Sequence, residues 1–262
     1  MPHTRLIARL DVKAPNLIKG VHLEGLRKLG DPNEFARRYY QAGIDELLYM
    51  DIVASLYERN GLTDLIQYTA QNIFIPFTVG GGVRSVEDIE AMLRAGADKV
   101  AMNTAALRRP TLISEAARRF GSQCVVLSIE AKKRRDAEGW EAYTDNGREH
   151  TGLDVVEWAR QAVNLGAGEI LLTSIDHEGT RKGMDLALIA AVNDVVTVPV
   201  IASGGVGEPA HVAQALQAGA HATAVADALH YERYSLSEFH QAMREAGHTV
   251  RGLPDDGLRR AC

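Results

Sequence analysis

Two carboxylates stand where short apolar runs turn polar: Asp11 closes LIARLD and Glu130 closes CVVLSIE. A carboxylate pair can divide acid and base work when unequal surroundings pull the two pKa values apart. Each also has a lysine two residues on, Lys13 and Lys132, with which it could simply pair. A second chemistry is written in glycine. Gly80, Gly81 and Gly82 follow FTV, and Gly204 and Gly205 follow VIAS. Glycine lets an anion approach backbone N–H groups, and a helix starting there adds its positive end. Asn103 and Thr104 would complete one phosphate cradle with Gly81 and Gly82. Gly179, Gly204, Gly205 and Ala226 would form another. Two such cradles suit a substrate with a phosphate at each end. The plainer alternative is that these glycines only make tight turns. Asp51 and Asp176 are further polar candidates. A third set, Arg5, Glu46, Lys99 and Glu169, begins apolar runs rather than ending them. Two cations and two anions could close a ring there, although charges in such places are usually solvated.

What must position these residues is visible as an internal repeat. IPFTVGGGVRSVEDIEAMLRAGADKVAMNTAA, from Ile75, reads against VPVIASGGVGEPAHVAQALQAGAHATAVADAL, from Val198, at a constant offset of 123. Pro76 pairs with Pro199, Gly81 with Gly204, Gly82 with Gly205 and Gly96 with Gly219. GIDELLYMDI, from Gly43, matches GAGEILLTSI, from Gly166, at the same offset. Further upstream the offset falls to 119, which pairs Lys13 with Lys132 and Asp11 with Glu130.

Short strand-like runs lie near 5–11, 46–51, 75–79, 98–102, 124–130, 168–174, 198–203 and 221–226, with helical patterns between them. In SVEDIEAMLRAG, Val86, Ile89 and Met92/Leu93 follow the helical period; Ser85 is a good start and Gly96 a good stop. Four strand-helix units, given twice, predict an α/β fold: one (β/α)8 TIM barrel over 1–250, built from two fused half-barrels of about 1–120 and 121–250. An open doubly wound sheet is the competing architecture. In a barrel, Asp11, Glu130 and both cradles fall at the C-terminal ends of strands, where barrel active sites lie; the charged set falls at the opposite face. The charged stretch from Lys132 to Gly152 carries an Asn146-Gly147 turn and predicts a surface hairpin. Residues 251–262 have no apolar period and read as a mobile tail.

The chain has 262 residues and a net charge of −5, which suits one barrel of about 250 residues and gives no basic footprint for nucleic acid or an anionic membrane. Cys124 and Cys262 are too few for a disulfide framework, and Cys124 reads as a small buried hydrophobe. The start, MPHTRLIARLDVK, lacks a secretory pattern, and no apolar run approaches the roughly 18 residues of a membrane span. A cytoplasmic protein is expected.

The segments LDVK (10–13), IKG (18–20), GDP (30–32), GIDEL (43–47), FTVGGG (77–82), GADKV (96–100), NTAA (103–106), GSQ (121–123), GAGEILLTSID (166–176) and IASGG (201–205) together resemble the cyclase subunits of imidazole glycerol phosphate synthase. The resemblance runs from Arg5 to about His230. It implies that a partner glutaminase docks at the N-terminal face and supplies ammonia through the barrel. The ammonia would meet a bis-phosphorylated aminoimidazole carboxamide nucleotide and yield imidazole glycerol phosphate plus an aminoimidazole carboxamide ribotide. No metal and no redox cofactor is implied. Asp11 and Glu130 would be the catalytic acid/base positions, with Thr173 lining the substrate site and Lys19 on a mobile first loop. Arg5, Glu46, Lys99 and Glu169 would form the ammonia entrance, and Asp98 would help dock the glutaminase.

The departures cluster around the second half-site. Glu130 stands where the family has an aspartate. His177-Glu178-Gly179-Thr180 replaces a usual RDGT, and Ala226-Asp227 replaces Ala-Ser. A carboxylate at Asp227 aimed into a cradle would repel phosphate. Arg9 replaces a cysteine; two residues before Asp11, it should point into the barrel, pair with an inward carboxylate such as Glu130, and narrow the ammonia path. Alternatives to the cyclase are a paralogue that channels ammonia to another acceptor, such as a surface-sugar amidotransferase system, or a barrel serving only as the glutaminase's scaffold.

Overall fold

The structure, a computed structural model, describes residues 3–22, 24–52 and 60–253. The first quarter runs β1 (Arg5–Lys13), β2 (Asn16–Val21), β3 (Glu24–Gly30), α1 (Pro32–Ala42), β4 (Glu46–Asp51) and α2 (Asn60–Asn72). Then come β5 (Phe77–Gly80), α3 (Val86–Ala95), β6 (Lys99–Met102), α4 (Thr104–Arg108) and α5 (Thr111–Phe120). The chain continues with β7 (Val125–Lys133), β8 (Trp140–Thr144), β9 (Glu149–Asp154), α6 (Val155–Leu165), β10 (Glu169–Ser174) and α7 (Leu186–Asn193). It ends with β11 (Val200–Ser203), α8 (Pro209–Gln217), β12 (Ala222–Val225), α9 (Asp227–His230) and α10 (Leu236–Glu245).

Strands β1, β4, β5, β6, β7, β10, β11 and β12 pair in parallel in that order, and β12 returns to β1. This closed ring is the expected (β/α)8 barrel; an open sheet is excluded. The helix signals also act as read. Ser85 accepts from the Asp88 N–H in a capping box and Gly96 ends α3 at φ 121°, as small polar caps and a left-handed stop require.

Strand alternation sorts the barrel into layers. Outward residues such as Leu6, Ala8, Leu10 and Val12 meet the helices, whereas Ile7, Leu48, Ala101, Val126, Leu171, Ile201, Ala222 and Ala224 form a separate cluster inside. Burying each of the larger aliphatic side chains contributes about 1.5–3 kcal/mol. On strand β1 the inner face reads Arg5, Ile7, Arg9, Asp11. The interior is therefore a charged floor, an apolar middle and a polar top.

One expectation, a buried Cys124, needs correction. Cys124 is half-buried at the end of a short turn, not inside a strand, because the strand begins at Val125. The first loop forms a ribbon, with β2 antiparallel to both β1 and β3, and Lys19 is buried in it. Arg251, the first residue of the tail, donates to the carbonyls of Gly43 and Ile44 at 3.0 and 2.9 Å. Residues 254–262 lie outside the described residues. The Lys132–Gly152 stretch does form a hairpin, β8 with β9, turning through Asp145, Asn146 and Gly147 at positive φ. Among the described residues, no helix is long and apolar enough to cross a membrane.

Candidate active site

The C-terminal ends of the strands bring the sequence candidates together. Asp11, at the end of β1, is buried and accepts from Arg9 Nε at 2.9 Å; Lys19 Nζ lies 4.0 Å from its other oxygen. Burial alone would raise the Asp11 carboxyl, but the Arg9 and Lys19 cations outweigh it and hold the group below the usual carboxylate range. Glu130, on β7 across the barrel, is buried and accepts from the Gly147 N–H at 2.8 Å. Burial pushes its carboxyl up to about 7, against the pull of that amide and of Arg9. The two carboxylates thus sit in opposite electrostatic settings. Neither pairs with the lysine suggested by sequence proximity: Lys132 instead lies over the Tyr143 ring.

Arg9 points inward as expected, but its carboxylate partner is Asp11 rather than Glu130. Its Nη1 also donates to Thr173 Oγ1 at 3.0 Å and Ser203 Oγ at 2.9 Å, linking β1 to β10 and β11. Lys19 is bonded to Glu178, so this glutamate has a buried cation beside it. Burial would lower the Lys19 ammonium; Glu178 and Asp11 reverse this and raise it.

The two glycine sets have matching backbones. Gly81 and Gly82 have φ of 96° and 70°, and Gly204 and Gly205 have 97° and 103°. A Cβ on Gly81 would lie 2.1 Å from the Asp51 carbonyl oxygen; one on Gly204 would lie 2.7 Å from that of Ser174, the repeat mate of Asp51. Neither space nor backbone conformation tolerates a side chain there. Asn103 and Ala226, which cap α4 and α9, share φ near −122° and ψ near −82° (−122°/−85° and −123°/−80°). Thr104 opens α4 and lies 3.5 Å from the Asp145 N–H. Gly179, at φ 73°, packs under the β2 ribbon, where a Cβ would meet the Gly20 carbonyl at 2.7 Å.

Each cradle has a cover from the other half of the chain. The first-loop ribbon docks on the loop after β10 through His22, whose N–H donates to Glu178 O at 2.9 Å. The β8–β9 hairpin sits on the first cradle, where Asn103 Nδ2 donates to Tyr143 O at 3.0 Å and Asn146 Nδ2 to Ile52 O at 2.8 Å. The sequence marked 146–147 as a turn and gave no sign that it would bond Glu130. Nor did it reveal Arg181 and Arg233. Asp227 Oδ1 accepts from Arg233 Nε at 2.9 Å and lies 4.0 Å from Arg181 Nε, so its charge is countered rather than bare. Asp176 is spent on the Lys133 N–H at 2.8 Å.

At the opposite face, the four charges close the expected ring. Arg5 bonds Glu46 at 2.6 Å and also Glu169; Lys99 reaches Glu46 at 3.1 Å and Glu169 at 2.7 Å. Thr78 Oγ1 donates to Glu46 Oε1 at 3.0 Å. Asp98 is exposed on this face, with one oxygen accepting from the Phe77 N–H at 2.9 Å. Asp45 does the same for Leu6, so part of the role of Asp98 is to anchor a strand start.

With this geometry in place, similarity to known proteins is informative. A family model described as histidine biosynthesis protein matches residues 5–235. A Legionella pneumophila protein named imidazole glycerol phosphate synthase subunit HisF is 67% identical over 208 residues, which cover 79% of this chain and 98% of that protein. Proteins of the same name from Mycobacteroides abscessus and Myxococcus xanthus are 50% and 53% identical, each across 95% of this chain and 98% of their own length. The shared name does not favour the paralogue reading. The chain belongs to the HisF family of imidazole glycerol phosphate synthase subunits.

Proposed function

We propose that the chain is the cyclase subunit of imidazole glycerol phosphate synthase in histidine biosynthesis and works with a glutaminase subunit that supplies ammonia. The observation that carries the reading is the pair of carboxylates, Asp11 and Glu130, held in opposite settings between two backbone-matched cradles. The names and coverage of the relatives support the same activity.

In this mechanism the glutaminase docks on the N-terminal face, with Asp98 at the contact. Ammonia enters past Arg5, Glu46, Lys99 and Glu169. It crosses the apolar middle layer in its neutral form, because an ammonium ion would lose its hydration there. Gly81, Gly82, Asn103 and Thr104 hold one phosphate of the substrate; Gly179, Gly204, Gly205 and Ala226 hold the other, with Lys19 and Thr173 beside it. Ammonia adds to a carbonyl carbon of the acceptor, whose oxygen leaves as water; ring closure then breaks the bond to the aminoimidazole carboxamide ribotide, which departs. Asp11, ionised, takes a proton from the incoming nitrogen, and Glu130, protonated, gives one to the departing group. The cycle resets when the two exchange these protons with solvent. Barrel and tail boundaries of about 1–250 and 251–262 belong to the same proposal.

The test is turnover of the bis-phosphorylated nucleotide by the isolated chain with an ammonium salt. Formation of imidazole glycerol phosphate is expected. A folded chain that binds the nucleotide and never turns it over would remove the cyclase reading.

A further inference from the structure

The second cradle has a floor as well as a rim, and the floor is Arg9. Its side chain is buried and lines the same cavity as Lys19, Gly179, Gly204, Gly205 and Ala226. The two carboxylates on that cavity are already engaged, Glu178 by Lys19 and Asp227 by Arg233 with Arg181 nearby. Two of the recorded Arg9 partners are neutral hydroxyls, Thr173 and Ser203. Among the described residues, the carboxylate it bonds is Asp11. Guanidinium bonds to an anion are roughly twice as strong as bonds to neutral acceptors, and the planar fork suits two oxygens at once. A phosphate seated on Gly204 and Gly205 therefore competes well for Arg9.

We propose that Arg9 is an anion-binding residue of the second cradle, and that a phosphate bound there draws it away from Asp11, leaving that carboxylate without its closest cation. Occupancy of one end of the substrate is then sensed by the group that handles protons. An acceptor without an anion at that end leaves Asp11 paired and idle, so Arg9 also sets specificity. The anion contact stands by itself; the consequence for catalysis rests on the role proposed above for Asp11.

The probe is inorganic phosphate, titrated into the full chain while the backbone amides of Gly204, Gly205, Gly81 and Gly82 are followed by NMR. In the natural chain both pairs should respond. In Arg9→Met the Gly204/Gly205 affinity should fall by about tenfold or more, with Gly81/Gly82 unchanged. Should that variant lose both cradles together through poor folding, Arg9→Lys decides. It must keep the first cradle and weaken the second severalfold, since lysine keeps the charge and loses the fork. A second readout follows the Asp11 carboxyl by carbon-13 shift. Phosphate should move its titration to higher pH in the natural chain and have no such effect in Arg9→Met. Equal phosphate affinity at Gly204/Gly205 with and without Arg9, or no response there in the natural chain, overturns the proposal. Failure of the cyclase reading would appear only in turnover and leave these titrations intact.

Discussion

Arg9 Nε donates to Asp11 Oδ1 at 2.9 Å, although the two residues are only two positions apart on one strand. Alternation puts both on the inner face of β1, and both are buried. Burial makes each charge depend on the other, because neither can recover its hydration.

Asp11→Asn should therefore do two things. Turnover with ammonium should fall by about 10²–10⁴, the usual worth of a positioned acid or base. Stability should fall by about 2 kcal/mol, because Arg9 keeps an acceptor but loses its counter-charge. Steady-state kinetics and urea unfolding check both, and wild-type turnover would remove Asp11 from the mechanism.

Glu130 predicts a pH signature. Its folded value of about 7 lies above the unfolded carboxylate value of about 4.3, so its contribution to stability is complete below pH 4 and is lost as pH rises through 7. The loss is about 4 kcal/mol. The rate should fall at higher pH, through about 7, where the folded acid itself loses its proton. Glu130→Gln should flatten the stability profile above pH 5 while cutting turnover severely. An unchanged profile by thermal unfolding across pH 5–9 would show that Glu130 ionises normally.

Asp227→Ser should weaken phosphate binding at the second cradle, not strengthen it. The expectation from sequence alone was repulsion by a bare carboxylate. In the structure that carboxylate holds Arg233 and stands near Arg181, keeping two cations at the rim. Calorimetry with a bis-phosphate ligand decides; tighter binding would mean that repulsion outweighs the anchoring.

The charged ring gives a fourth case. Lys99→Met leaves Glu46 and Glu169 sharing only Arg5, at a cost of about 3 kcal/mol. Adding Glu46→Gln should recover part of it, since the one excess negative charge is then gone. Denaturant midpoints of the single and double variants measure the coupling. Additive losses would show that the ring is not a unit.

The strand order, the limits of α3 and the placing of Asp11, Glu130, Gly81 and Gly204 could all be taken from the sequence. Each depends on a local period or on the 123-residue repeat, and both are one-dimensional signals. Repetition even carried the cradle geometry, because Gly81 and Gly204 face the same backbone oxygen in each half. Which charges meet was decided only by tertiary structure. Arg9 could have paired with any inward carboxylate. Barrel closure set Thr173 and Ser203 against its far side and left Asp11 nearest. Gly147 reaches Glu130, and Arg233 reaches Asp227, because loops fold back over strand ends. Coulomb energy and desolvation depend on distance and burial in three dimensions, and no spacing along the chain encodes either.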